Sequence, residues 1–188
     1  SILARRGSGS ASRSIPDGFV EWHMGTSNDD SFAETIVPAD YWQLWDNIAI
    51  VEEKPKKIGS SQGHRLADTS PLQAARLQSA PQRLAVCRQA IFEKDFEKLA
   101  DVIELDSNMM HAVMLTSHPP LLYWSPLSVE LMWQVAEWRS KGLAAAYTLD
   151  AGPNVHIICP SEAREEVKKR LSQMPGVVTV LTSPVGNG

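Results

Sequence analysis

The stretch YTLDAGPNVHIIC, residues 147–159, joins two apolar runs through a turn of Asp150, Ala151, Gly152, Pro153 and Asn154. A turn this short returns the chain directly, so the runs, near 143–149 and 155–159, are expected to form a hairpin. Helical periodicity flanks the hairpin on both sides. A hairpin set between helices constrains the fold more than any other feature of the chain. Both strands must bury a face, and the helices before and after them are what can cover it.

The remaining pattern extends that unit. NIAIVEE, 47–53, reads as a short buried strand, followed by a polar loop from Lys54 to Pro71. A helix is expected with Pro81 at its first position and Leu84, Cys87 and Ile91 inward. Asp95 reads as the N-cap of a second helix whose stripe is Phe96, Leu99, Val102, Ile103, Met110 and Met114. SHPPLLYWSP, 117–126, interrupts it. Ser125 caps a third helix, with Pro126 at its first position, Leu127, Leu131, Val135 and Trp138 inward and Gly142 at its end. After the hairpin, Ser161 is expected to cap a last helix with Ala163, Val167 and Leu171 inward. Pro175-Gly176 stops it, and VVTVL, 177–181, is a final strand. The order from residue 47 is β-α-β-β-α-β, an α+β, split βαβ (ferredoxin-like) unit. Residues 1–46, with strands at 18–25 and 32–37, stand outside it as the remnant of a neighbouring β-rich domain. The two domains are therefore 1–46 and 47–188. The opening SILARRGS reads as the end of a helix entering a Gly/Ser turn, as in the later part of a longer polypeptide or a fragment of one. A processed or engineered start is the duller alternative.

A net charge of −4 on 188 residues gives no general attraction to nucleic acid or an anionic membrane. No apolar run approaches the roughly 18 residues that span a bilayer. Cys87 and Cys159 lie in apolar segments and read as buried free thiols, which suits a reducing cytoplasm. Taken alone, His111 reads as a hydrogen-bonded core or boundary histidine. The five histidines and two cysteines share no metal-ligand spacing, so no metal site is expected.

Two segments could carry chemistry. RRGSGSASRS, 5–14, sets Arg5, Arg6 and Arg13 among Ser8, Ser10, Ser12 and Ser14. It is either an anion cradle of backbone N–H groups, hydroxyls and guanidinium forks, or a flexible basic linker. Asp150 is either a turn carboxylate that caps local N–H groups or a rigidly held carboxylate facing a ligand. Together, a cationic cradle and a fixed carboxylate are what phosphoryl transfer to the alcohol of an anionic substrate requires.

ARRGSGSASRSIPDGFVEWHMG at 4–25 and YTLDAGPNV at 147–155 resemble segments of the mevalonate diphosphate decarboxylases. SSQGHR at 60–65, DSNMMHAVML at 106–115 and PPLLY at 119–123 match in the same order. The resemblance implies a GHMP-superfamily fold with 47–188 as its C-terminal domain. It also implies ATP-dependent, Mg²⁺-assisted phosphorylation of the 3-hydroxyl of mevalonate 5-diphosphate, then loss of phosphate and CO2 to give isopentenyl diphosphate. On that resemblance Asp150 orients or deprotonates the hydroxyl and Arg13 holds the substrate carboxylate. Ser8 and Ser10 donate to phosphates, Gly63 and His64 belong to the loop touching the substrate's phosphates, and Ala151 and Gly152 bring backbone close to the substrate. Gly63-His64 stands where the family usually has Gly-Met, and Ser61 where bacterial relatives often have Arg. Pro16-Asp17 stands where Tyr-Gly or Phe-Gly is common. The altered phosphate loop admits mevalonate 5-monophosphate as the alternative substrate. The family's N-terminal part, with most of the ATP site, is expected in a preceding segment or a separate chain. A homodimer is implied by the resemblance only. A mevalonate 3-kinase ranks low because Asp150 and Arg13 are both retained. The rival from another class is a non-catalytic module that binds an anion or a protein.

Overall fold

The computed structural model describes residues 1–7, 9–27, 29–51 and 60–186. Two compact units result: Ser1–Leu44 with Ser183–Gly188, and Trp45–Thr182. Among the described residues, no helix is long and apolar enough to cross a membrane.

The first unit opens with two short helices, α1 (Ile2–Gly7) and α2 (Gly9–Arg13), followed by β1 (Phe19–His23) and β2 (Phe32–Val37). The Gly/Ser stretch is thus helical from residue 9 onward, where a turn or linker was expected. The two strands pair antiparallel, with Trp22 opposite Ala33 and His23 opposite Phe32. Gly18, at φ +71°, enters the hairpin so tightly that a Cβ there would meet the Val37 carbonyl oxygen at 2.4 Å, so only glycine fits. Asp30 closes the turn, accepting from the N–H of Thr26 at 3.0 Å and of Ser27 at 2.6 Å. Those N–H donors hold its carboxyl far below the usual carboxylate range. Asn28 of the predicted turn lies outside the described residues.

The second unit is built on a four-stranded sheet and its helices. In chain order these are β3 (Leu44–Ile50), α3 (Ser60–Ala67), α4 (Gln73–Glu93), α5 (Phe96–Leu115), α6 (Pro126–Ser140), β4 (Ala146–Thr148) and β5 (Val155–Pro160). A 3₁₀ turn (Ser161–Ala163), α7 (Arg164–Gln173) and β6 (Thr179–Pro184) follow. The strands lie in the order β4-β5-β3-β6. β4 and β5 pair antiparallel as the predicted hairpin. Backbone bonds from Val178 to Ile50 and from Val185 to Leu44 run β6 antiparallel to β3. The hairpin's return strand is inserted between β3 and β4, which is the split βαβ arrangement. Leu131 and Val135 of α6, Val167 and Leu171 of α7, and Ala49, Val155 and Ile157 of the sheet form the core.

Local signals placed the helix starts well where they involve a side-chain cap. Asp95 accepts from the Lys98 N–H at 3.0 Å and starts α5. Ser125 and Ser128 close a reciprocal capping box on α6, with Pro126 at the first position. Elsewhere the structure corrects the sequence. α4 begins at Gln73, so Pro81 lies inside it rather than at its start. An internal proline leaves a carbonyl in the preceding turn without its N–H donor. The carbonyl it orphans is that of Leu77; Ser79 Oγ and Arg83 Nη2 donate to the neighbouring Ala75 and Arg76 carbonyls. Leu84, expected inward, is 48% exposed, and Arg83 and Ala90 are the residues α4 buries. The polar loop of 54–71 is helical from 60, because Leu66 and Ala67 pack with Val113, Met114 and Leu121. Its first part, 54–59, lies outside the described residues, as do Glu52 and Glu53. β3 starts three residues earlier than 47, and β6 starts at Thr179 rather than 177. Ser161 opens a 3₁₀ turn and caps no helix through its side chain.

Candidate functional site

β4 is an edge strand. β5 pairs one side of it, and the other side would leave N–H and C=O groups exposed. The helices supply the missing partners. Arg139 Nη1 of α6 donates to the Ala145 carbonyl at 2.8 Å. Glu104 Oε1 of α5 accepts from the Tyr147 N–H at 3.1 Å, and both its oxygens grip Arg139, at 2.6 and 2.7 Å. Ser107 Oγ accepts from the Leu149 N–H at 3.0 Å and donates back to the Leu149 carbonyl at 3.3 Å. Glu104 and Ser107 fall at i and i+3, so they share one face of α5. That face acts as a substitute strand.

The turn that follows is pinned at its far side too. Gly152 N–H donates to the Asp150 carbonyl at 2.8 Å. Ser128 Oγ, at the start of α6, donates to the Pro153 carbonyl at 2.5 Å. Asn154 Oδ1 accepts from the Val51 N–H at 2.9 Å. The turn therefore holds its shape through its backbone and Asn154. The Asp150 side chain is exposed and has no hydrogen-bond partner among the described residues. Asp30 shows what a turn-capping carboxylate looks like in this chain; Asp150 caps nothing. Of the two readings of Asp150, the local one is not what the structure shows.

Asp150 and Gly152 line a cleft of about 250 Å³ with Ile48, Ile50, Asn154 and His156. His156 Nδ1 is 2.8 Å from Asp46 Oδ2, a half-buried pair beside the cleft that the sequence reading did not single out. A larger groove, about 370 Å³, runs between α4 and α5 past Arg83, Val86, Val102, Leu105 and Met109. It holds none of the candidate residues. Gly63 is buried in α3, and a Cβ there would meet the Tyr123 hydroxyl at 2.6 Å. His64 beside it is exposed.

The first unit holds the cationic candidates. Arg13 ends α2, exposed, with its guanidinium 5.7 Å from the centre of the Trp22 ring. Ser10 is exposed on the same helix, and its carbonyl accepts from Ser14 Oγ at 3.3 Å. Ser12 is fully buried. Ser8 lies outside the described residues. Among the described residues no group of three or more His, Cys, Asp or Glu could hold a metal ion.

His111 is 1% exposed, between Trp124 (ring centres 4.9 Å apart) and Tyr123 (6.0 Å). Burial pushes its imidazole down to about 4, against smaller upward effects from the nearby Leu149 backbone and the Asp150 charge. A histidine kept neutral in the folded state costs stability as soon as the unfolded chain takes up a proton. Its contribution is intact above pH 6.5 and is lost as pH falls from 6.5 toward 4. Replacing it with Phe is expected to flatten the acid loss of unfolding free energy there, by up to about 1.4 kcal/mol per pH unit. Urea titrations of both proteins across that range check it.

With the geometry in hand, the comparisons are specific. A model of the mevalonate 5-diphosphate decarboxylase C-terminal domain matches residues 47–183. A model of the diphosphomevalonate decarboxylase-like N-terminal domain matches residues 1–33. The diphosphomevalonate decarboxylase of Candida albicans is 39% identical over 193 residues, covering 97% of this chain and 53% of that protein. The human one is 40% identical over 164 residues, covering 84% of this chain and 41% of that protein. The chain spans about half the length of the curated relatives it matches. The solved mevalonate diphosphate decarboxylase of Staphylococcus aureus superposes with a TM-score of 0.88 at 35% identity, covering 100% of this chain and 57% of that one. A complex of MDDEF with MVAPP, AMPPCP and magnesium superposes at 0.90 and 34% identity, covering 99% of this chain and 58% of that one. A split βαβ unit of this order, a carboxylate on its pinned turn and a family model across most of the chain converge: the chain belongs to the mevalonate 5-diphosphate decarboxylase family, with its GHMP-kinase-type α+β fold.

Proposed function

We propose that this chain forms part of an ATP-dependent mevalonate 5-diphosphate decarboxylase and carries its hydroxyl-activating carboxylate. Residues 47–188 are read as the C-terminal domain and 1–46 as the end of the N-terminal one. The observation that carries the reading is Asp150: exposed at a cleft, on a turn fixed by α5, α6 and Val51 just after β3, with its own oxygens taking no hydrogen bond among the described residues.

ATP supplies the phosphoryl group, and Mg²⁺ offsets the charge on its phosphates. Asp150 orients the substrate's 3-hydroxyl and takes its proton as that oxygen bonds to the γ-phosphorus of ATP, whose bond to the bridging oxygen breaks to release ADP. Arg13 holds the substrate carboxylate through its planar fork. Ser8 and Ser10 donate to phosphates, and Ala151 and Gly152 let backbone approach the substrate. The 3-phosphate then leaves with the C–O bonding pair, and the bond to the carboxylate breaks. The pair from that bond forms the new C=C as CO2 departs. The homodimer rests on the family resemblance alone, and the cytoplasmic setting on the free thiols of Cys87 and Cys159.

The test is turnover of the full-length protein with ATP and Mg²⁺ on mevalonate 5-diphosphate and on the 5-monophosphate, read as phosphate and CO2 released together. Equal release of both from the diphosphate is expected. A kcat/KM at least about tenfold higher on the monophosphate reassigns the substrate to the phosphomevalonate class, as His64 in place of the family's Met allows. Neither product from either substrate removes the proposal.

A further inference from the structure

One face of the sheet in the second unit packs on helices, and the other carries the cleft. Along β3, Asn47 and Ala49 are fully buried, and along β5 so are Val155, Ile157 and Cys159. Strand alternation turns Asp46, Ile48 and Ile50 of β3 and His156 of β5 to the opposite face. There Ile48, Ile50 and His156 line the cleft with Asp150, and His156 Nδ1 meets Asp46 Oδ2 at 2.8 Å. We propose that His156, oriented by Asp46, is a phosphate-binding residue of this cleft, its Nε2–H donating to a phosphate oxygen held beside Asp150. This rests on the decarboxylase reading and deepens it.

Charge carries the argument. Phosphoryl transfer sets phosphate oxygens beside the hydroxyl that Asp150 is to deprotonate, and a carboxylate by itself repels them. Among the described residues that line the cleft, His156 alone has a side chain able to carry positive charge. Asp46 accepts the Nδ1–H, which fixes the ring and sets Nε2 at its far side. Donation from Nε2 as well needs the ring protonated on both nitrogens. That form suits Asp46 too. Its Oδ1 is buried with no hydrogen-bond partner among the described residues, and a carboxylate so placed is better matched by a full positive charge than by a neutral ring. The His156 and Asp46 side chains are 28% and 31% exposed, so the pair is sheltered yet within reach of a ligand.

The phosphate oxygen belongs either to ATP or to the substrate's 5-diphosphate, and the experiment separates the two. In the full-length protein, His156→Gln keeps a polar side chain without the charge, and His156→Lys restores a cation. A loss of about 10- to 100-fold in kcat/KM is expected for His156→Gln, the effect of removing one charge-assisted hydrogen bond. His156→Lys should recover most of it. A raised KM for ATP, or a lowered kcat with both KM values held, assigns the oxygen to the nucleotide; a raised KM for mevalonate 5-diphosphate assigns it to the substrate. Nitrogen NMR of the wild type reads the contact without any variant. With AMPPCP and Mg²⁺, or with mevalonate 5-diphosphate, both ring nitrogens of His156 should carry protons and the Nε2 signal should shift. The proposal is overturned if His156→Gln keeps kcat/KM within about twofold for both substrates, if His156→Lys is no better than His156→Gln, or if Nε2 carries no proton in either complex. Asp150→Asn runs alongside. Unchanged turnover in that variant, or none in the wild type, is a failure of the decarboxylase reading, and the NMR of the two complexes then judges His156 by itself.

Discussion

Asp150→Asn is expected to lower kcat by about 100- to 10,000-fold while leaving the fold intact. The size follows from chemistry. An amide can still orient the 3-hydroxyl, but it has no lone pair basic enough to take the proton as the oxygen attacks phosphorus. Preservation of the fold follows from the hydrogen bonds. The turn is held by the Leu149 backbone on Ser107, the Pro153 carbonyl on Ser128 and Asn154 on the Val51 N–H, none of which uses the Asp150 side chain. An exposed, isosteric change with no partner to lose should move Tm by no more than about 2 °C. Steady-state kinetics with a thermal melt on the same preparation decide it. A kcat near wild type takes Asp150 out of the mechanism. A collapsed Tm would show that the turn depends on the carboxylate after all.

The second large effect is on stability. Glu104 and Arg139 are a nearly buried pair, with side chains 11% and 15% exposed. Glu104→Ala should cost about 3–5 kcal/mol, because it strands the guanidinium in a desolvated site. The Tyr147 N–H loses its acceptor at the same stroke. For a chain of this size that is about 10 °C in Tm. Lys141→Ala removes a similar-looking pair with Glu137, but its partners are 66% and 50% exposed. There the charges are already solvated, and no measurable change in Tm is expected. Parallel melts of the two variants separate the cases. Equal Tm values would mean that the edge of β4 does not rely on its helix partners.

How much of this was legible beforehand depended on how far each signal reaches along the chain. Asp95 and Ser125 cap helices through N–H groups three residues away, so their roles could be read in place. The hairpin at 147–159 was as plain, since a five-residue turn between apolar runs leaves the chain few options. The motifs around Arg13 and Asp150 carried the family. Pro81 misled because proline suits a first helical position, and no local signal marks the turn before it as already helical. The helix at 60–67 was hidden because its apolar side chains among the described residues, Leu66 and Ala67, sit together at its end, and what packs on them lies some fifty residues on.

The amino-acid sequence on its own determined the element order, the main helix caps and the presence of a carboxylate on a tight turn, because each follows from steric and hydrogen-bonding rules acting within a few residues. Only the tertiary structure decided that this carboxylate takes no hydrogen bond among the described residues and that Glu104 and Ser107 complete an edge strand some forty residues away. No local pattern marks such residues. A polar side chain on a helix becomes a strand's partner only when packing brings the two together, and the requirement it meets, an unpaired backbone group out of water, does not exist until the chain has folded.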